Sequence, residues 1–284
     1  MAATTETTRP AVPSLDRSSQ GLICAAPGNW LAEAAWRAGV PLDDAQLARF
    51  DRYRQSLIDW NARTNLTAVT DPREIDRRLF LDALLALPTL DRVLLPSRNG
   101  RRRLVDIGSG AGFPGLVIKI ARPELAVTLI EATGKKVRFL AHLIDALDLE
   151  GIVAHHTRAE DLGHLPDHRA TYDLATARAV ASLPALIELS VPLLRVGGYG
   201  LFPKGLDLAD ELAAGGRAAT QLGARIRASD LLPGSETRLI AIEKTEATPS
   251  GYPRRAGIPA REPLGVARPS APPLVPSGPK GGER

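Results

Sequence analysis

Along the first third of the chain, apolar positions recur with the period of a helix. Asn29 stands where it can cap a short helix through Trp30, Leu31, Ala34, Ala35 and Arg37, and Gly39 stops it. Asp43 caps a second, in which Leu47, Phe50, Leu57 and Ile58 form the apolar stripe and Tyr53 lies on its rim, ending near Trp60. Asn61–Thr67 reads as a polar turn. Asp71-Pro72 opens a third helix with apolar Ile75, Leu79, Leu81, Leu84, Leu85 and Leu87, and Pro88 ends it. After an arginine-rich stretch the pattern changes. Short apolar runs at 103–108, 126–131, 152–156, 172–177 and 199–203 alternate with helical patterns at about 114–121, 134–148, 184–194 and 206–222. Two further strands, near 224–231 and 237–244, have no helix between them. Such alternation predicts an α/β fold, a mainly parallel sheet of about seven strands with helices on both faces, closed by an edge hairpin and preceded by a helical cap.

The stretch Leu104-Val105-Asp106-Ile107-Gly108-Ser109-Gly110-Ala111-Gly112-Phe113-Pro114-Gly115 is a strand, a tight turn and a helix start. Glycines there let a ligand lie against bare backbone, and the helix start adds free N–H groups. The dinucleotide fingerprint is G-x-G-x-x-G; here Phe113 stands at the third glycine position. Asp106, two residues before Gly108, would repel a pyrophosphate and suits an ammonium group. These differences favour S-adenosylmethionine over NAD. Glu131 ends the second strand, where an acid can accept from both ribose hydroxyls. Ala159-Glu160-Asp161 follows the third strand; it reads equally as an adenine-facing loop or as the cap of a short helix.

Composition narrows the setting. The 284 residues are 44% hydrophobic and 4% aromatic, enough for one sizeable aliphatic core. A single cysteine, Cys24, excludes an internal disulfide and a cysteine-based zinc site, and the five histidines show no metal-ligand spacing. No apolar run approaches the roughly 20 residues that span a bilayer, and the N-terminus has no apolar signal core, so a cytoplasmic protein is expected. The net charge of +4 equals the excess of six basic over two acidic residues between Gly251 and Arg284. A basic tail fits a polyanion such as RNA, or serves solubility. Arg92, Arg98, Arg101, Arg102 and Arg103 in the linker read as a solvated loop, with a phosphate-contacting patch as the alternative. The expected organisation is a disordered segment over 1–27, a cap over 28–90, a catalytic domain over 91–246, and a Pro-rich, basic, disordered tail over 247–284.

Taken together the segments resemble the glucose-inhibited division protein B (GidB/RsmG) family. The matching pieces are Trp60-Asn61, Asn65-Leu66-Thr67, Asp71-Pro72, Phe80-Leu81-Asp82, the glycine turn, Gly134–Leu140, Arg158-Ala159-Glu160, Ala177–Leu183 and Lys204-Gly205. They keep the family's order over about residues 30–245. The resemblance implies a Rossmann-like methyltransferase that moves a methyl group from S-adenosylmethionine to N7 of a guanine in 16S rRNA of the small ribosomal subunit. It places Gly108, Phe113, Ala159, Glu160 and Arg178 at cofactor-binding positions, with Phe113 along the cofactor and Arg178 beside its methionine end and the target base. Lys204, Asn65 and Arg138 match polar positions that face RNA or support the site. The chain departs from the family at Leu79, often His, and at Ala83, often Ser, which bears on RNA contact by that helix.

Guanine N7 carries a lone pair and no proton, so its methylation asks for alignment and no general base. Arg178 is the expected catalytic residue, with a structural ion pair as the plainer alternative. Few aromatics argue against an extended single-strand stacking platform. The expected partners are the rRNA or small subunit, with the protein a monomer away from membranes. The rival readings are a methyltransferase for a small molecule or protein, an NAD-linked oxidoreductase, and an RNA-binding protein without catalysis.

Overall fold

The computed structural model describes residues 29–94 and 101–266. The segment 1–27, Cys24, Arg98 and the tail beyond Val266 lie outside the described residues. Helix α1 is Trp30–Arg37, and the Asn29 side chain accepts from Ala32 N–H at 3.2 Å. Helix α2 is Asp44–Thr64. Asp43 and Gln46 close a reciprocal capping box, at 2.7 and 2.9 Å. The helix runs past Trp60, so Asn61–Thr64 are helical rather than turn; the chain leaves it at Asn65 in the left-handed conformation. Asn61 then organises the exit, its carbonyl oxygen accepting from Leu66 and Thr67 N–H.

Asp71 caps α3, Pro72–Ile75, through the N–H groups of Arg73 and Glu74. The helix expected to continue to Leu87 instead widens into a π-helical turn at Asp76–Leu81, followed by α4, Asp82–Leu84. Pro88 does not end it; Pro88 sits in the first turn of the next helix, α5, Leu87–Val93, where a missing N–H leaves no gap. Leu79 and Ala83 are buried, so both departures from the family pattern are interior packing positions.

Strands β1 (Arg103–Ile107), β2 (Ala126–Glu131), β3 (Ile152–His156), β4 (Tyr172–Ala177), β5 (Leu194–Lys204), β6 (Ala224–Leu231) and β7 (Arg238–Lys244) form one sheet in the order 3-2-1-4-5-7-6. The first five are parallel, β7 runs antiparallel to β5, and β6 pairs with β7 as the edge hairpin. Strand β5 begins earlier than expected and carries Gly197-Gly198 within it. The intervening helices are α6 (Gly115–Ala121), α7 (Gly134–Ala146), α8 (Ala159–Leu162), α9 (Leu183–Ser190) and α10 (Ala209–Gln221).

Strand alternation sorts the core by face. Leu104, Val127, Leu129, Leu174 and Leu201 meet α6, α7 and the cap. Val105, Ile107, Ile130, Ala175 and Phe202 meet α9 and α10. The cap therefore shares one hydrophobic core with the sheet.

The Pro-rich segment from 249 was expected to lack structure; through Val266 it is a strap packed on the fold, with a short helix, α11, at Ile258–Arg261. Arg254 forms a bidentate ion pair with Glu188 of α9, whose side chain is fully buried (2.6–3.2 Å). The Arg254 N–H adds a bond to the same carboxylate, and Glu188 holds the guanidinium pKa above its usual value. Arg169 donates to the carbonyls of Thr248, Pro249 and Tyr252. Composition missed this because nothing local announces a buried partner 66 residues away.

Arg254→Ala strands the Glu188 carboxylate in the core. Removing one member of a buried pair costs about 3 kcal/mol, so the variant's urea midpoint falls sharply. An unchanged midpoint contradicts the strap's role.

Candidate active site

Three left-handed glycines shape the turn after β1: Gly108, Gly110 and Gly112, at φ +67°, +59° and +99°. Position 110 opens to space; a Cβ there finds only the Gly108 carbonyl at 3.8 Å. Gly112 is closed: a Cβ there would lie 2.5 Å from the Tyr53 hydroxyl. Tyr53, expected on the rim of its helix, is fully buried. Its hydroxyl donates to the Ala111 carbonyl at 2.5 Å and its ring stacks on Phe113 at 5.3 Å between centroids. Burial pushes the phenol pKa well above its usual value, and the nearby Asp106 adds to the shift. Phe113 itself packs between Tyr53 and Phe80, so its ring faces the cap.

Glu131 ends β2 with 6% of its surface exposed. One oxygen accepts from Gly110 N–H at 3.0 Å and the other from Thr133 N–H at 2.8 Å. The carboxylate is thus held across the turn, with lone pairs left for further donors. Asp106 was read as facing the ligand. It lies instead under the turn, fully buried, with Oδ2 accepting from Gly115 N–H at 3.0 Å. Its Oδ1 is buried and has no partner among the described residues. Burial raises the Asp106 pKa to about 7; Glu131 adds to the rise, and bonds from Gly115 and Ser109 oppose it.

Arg178 follows β4. It reaches the cap, donating to the Arg78 carbonyl at 2.7 Å and pairing with Asp82 at 3.2 Å. Its Nη1 is buried without a partner among the described residues. Val180 lies over the turn, so close that a Cβ at Gly108 would meet it at 2.7 Å. Lys204 supports this loop: it bonds the Ala181 carbonyl and pairs with Glu211, which accepts from Leu183 N–H. Ala159 and Glu160 are buried in α8. Glu160 accepts from Gly257 N–H of the strap at 2.8 Å, a partner that sequence spacing could not supply. Asn65 is the left-handed cap at the end of α2, and Arg138 is exposed on α7. Arg101, Arg102 and Arg103 make contacts within the fold. Arg101 caps the carbonyls of Pro123 and Glu124, Arg102 pairs with Asp173, and Arg103 lies over the Tyr172 ring.

The open turn at Gly110 and the acid held beside it fit a ribose-bearing ligand. With this sheet order they define a Rossmann-like methyltransferase that uses S-adenosylmethionine. The profile of the rRNA small subunit methyltransferase G (GidB) family matches residues 46–233. Relatives named ribosomal RNA small subunit methyltransferase G include those of Roseiflexus castenholzii, 46% identical over 80% of this chain and 95% of the relative; Roseiflexus sp. strain RS-1, 47% over 81% and 96%; and Chloroflexus aggregans, 48% over 81% and 94%. The chain belongs to the rRNA small subunit methyltransferase G family.

Two variants test the turn. Tyr53→Phe leaves the Ala111 carbonyl unsatisfied in the core, at about 1–2 kcal/mol. Its Tm falls by roughly 2–4 °C per kcal/mol, and calorimetry shows weaker cofactor binding. Asp106→Asn acts through protonation. Between the unfolded value near 3.9 and the native value of about 7, only the native state holds the proton. Wild-type stability therefore falls as pH rises through that window, by at most about 1.4 kcal/mol per unit. In urea unfolding without cofactor, Asp106→Asn should match wild type near pH 4 and exceed it at pH 8; a pH-independent difference contradicts the assignment.

Proposed function

We propose that this protein transfers the methyl group of S-adenosylmethionine to N7 of a guanine in 16S rRNA of the small ribosomal subunit, acting as a monomer in the cytoplasm. The reading is supported by the glycine turn, Glu131 and Arg178 following the carboxyl ends of the adjacent parallel strands β1, β2 and β4, in a chain of the family just described. S-adenosylmethionine, when bound, supplies an electrophilic methyl on a sulfonium. Glu131 would accept from the ribose hydroxyls, the open backbone at Gly110 would let the ligand approach closely, and Gly108 would lie beside it under Val180. Asp106 stays beneath the turn, where it accepts from Gly115 N–H and fixes the helix start. The buried rims at Ala159 and Glu160 would border the adenine, with Glu160 aimed by the Gly257 N–H. Phe113 serves this pocket from behind, by fixing the turn against Tyr53.

On this reading Arg178 acts on the substrate. Asp82 and the Arg78 carbonyl hold one end of its guanidinium, which leaves Nη1 to donate to guanine O6 or to orient the cofactor carboxylate. Because N7 bears no proton, the chain's task is to hold the base in line with the methyl group and exclude water, and no base is required.

The reading is tested with purified protein, labelled S-adenosylmethionine and small-subunit RNA lacking the N7 mark, digested to nucleosides. Label should appear in 7-methylguanosine. Label on another atom, on protein or only on small molecules favours the rival methyltransferase. Arg178→Ala should fold normally and lose on the order of 100-fold or more in kcat/KM; wild-type turnover in that variant removes Arg178 from the mechanism.

A further inference from the structure

Beside Arg178 lies a second opening, a cavity of about 960 Å³. It is lined by Trp30, by Arg77, Arg78 and Asp82, by Arg178 and by the β6–β7 turn around Gly234. We infer that this groove holds the single-stranded nucleotide adjoining the target guanine, with its base on the Trp30 indole and its phosphate between Arg77 and Arg78. The inference rests on the proposed function and adds the subsite that grips the strand.

Geometry comes first. Guanine N7 lies in the deep, narrow major groove of an RNA helix, beyond the reach of a protein site. The target base must be unpaired or swung out, and in a single-stranded loop the adjoining base is free to stack on the protein as well. Arg178 belongs to both places: it follows β4 beside the glycine turn and lines the groove. A strand entering along the groove therefore arrives at the candidate methyl-transfer site.

Charge decides the kind of occupant. Asp82 is already satisfied, by Arg178 at 3.2 Å and by the hydroxyls of Thr237 and Ser235 at 3.1 and 3.4 Å. Arg77 has a solvent-exposed pair with Glu74 that a phosphate can displace. Among the described residues the exposed Arg78 guanidinium closes no ion pair. Glu236 is the remaining acid on the lining.

The walls are apolar where a base would rest. Trp30 is 46% exposed and Leu231, across the groove, 53%. Indole and guanidinium are the groups on which single-stranded bases stack. The π-helical turn sets the spacing: Leu79 and Phe80 go inward while Arg77 and Arg78 project outward, and Arg54 pins the turn through Asp76 at 2.7 Å. One ring is a single stacking position, compatible with a chain poor in exposed aromatics.

Steady-state methylation of small-subunit RNA lacking the mark tests this with Trp30→Ala, Trp30→Phe and Arg78→Ala, alongside calorimetry with S-adenosylmethionine. Trp30→Ala should raise KM for RNA about fivefold or more, with cofactor affinity unmoved, and Trp30→Phe should restore most of it. Arg78→Ala should raise KM likewise and reduce the salt slope of RNA binding by about one. Wild-type KM values in both alanine variants overturn the groove and leave the proposed function standing. Cofactor affinity that falls in parallel marks a structural effect and also overturns it. A wild-type protein that binds cofactor and forms no 7-methylguanosine on this RNA overturns the function, and the groove with it.

Discussion

The Tyr53 side chain, driven from the cap into the glycine turn, is the contact on which the site depends. Its hydroxyl satisfies the Ala111 carbonyl and its ring stacks on Phe113. Only glycine fits at position 112 beneath it. The turn closes on itself through Gly112 and Phe113 N–H to the Ser109 carbonyl, but a free loop rich in glycine would sample many shapes. Here the cap holds one shape from behind while Glu131 braces the front through Gly110 N–H. Pocket and cap are parts of one core, so a change deep in the cap is felt at the ligand.

The arginines tell a related story. Composition suggested that the linker and the C-terminal segment supply the positive surface. In the fold, Arg101, Arg102 and Arg103 fasten the base of the sheet, and Arg254 neutralises a carboxylate buried in α9. Arg102 and Arg254 are paired with carboxylates, and Arg101 and Arg103 are tied to backbone carbonyls and an aromatic ring. Arg77 and Arg78 of the π-helical turn are exposed beside Arg178, and on the proposed reading they shift the candidate RNA-facing surface from the tail towards the cap.

Much of this was readable in the residues. The alternation of strand and helix, the edge hairpin, the glycine turn and the acid ending β2 follow from period, spacing and chemistry. What escaped were long-range pairings. Tyr53 sits at the border of its helical stripe, and only the partner surface decides whether a border residue is rim or core. Asp106 alternates correctly with its strand, yet alternation does not say what covers it; the turn does. Pro88 reads as a stop or a start depending on which neighbour is helical. The strap has the composition of a disordered tail, and Glu188, isolated on an apolar helix, was the signal that a cation had to come from somewhere.

The central claim is that this turn, braced from both sides, presents a methyl group to N7 of one guanine in small-subunit rRNA. The most direct measurement is a map of N7-methylguanine across the 16S rRNA of cells with and without this gene. The account predicts that a single methylated guanine loses its mark when the gene is absent and regains it when the gene is restored. Identical N7-methylation in both would contradict it.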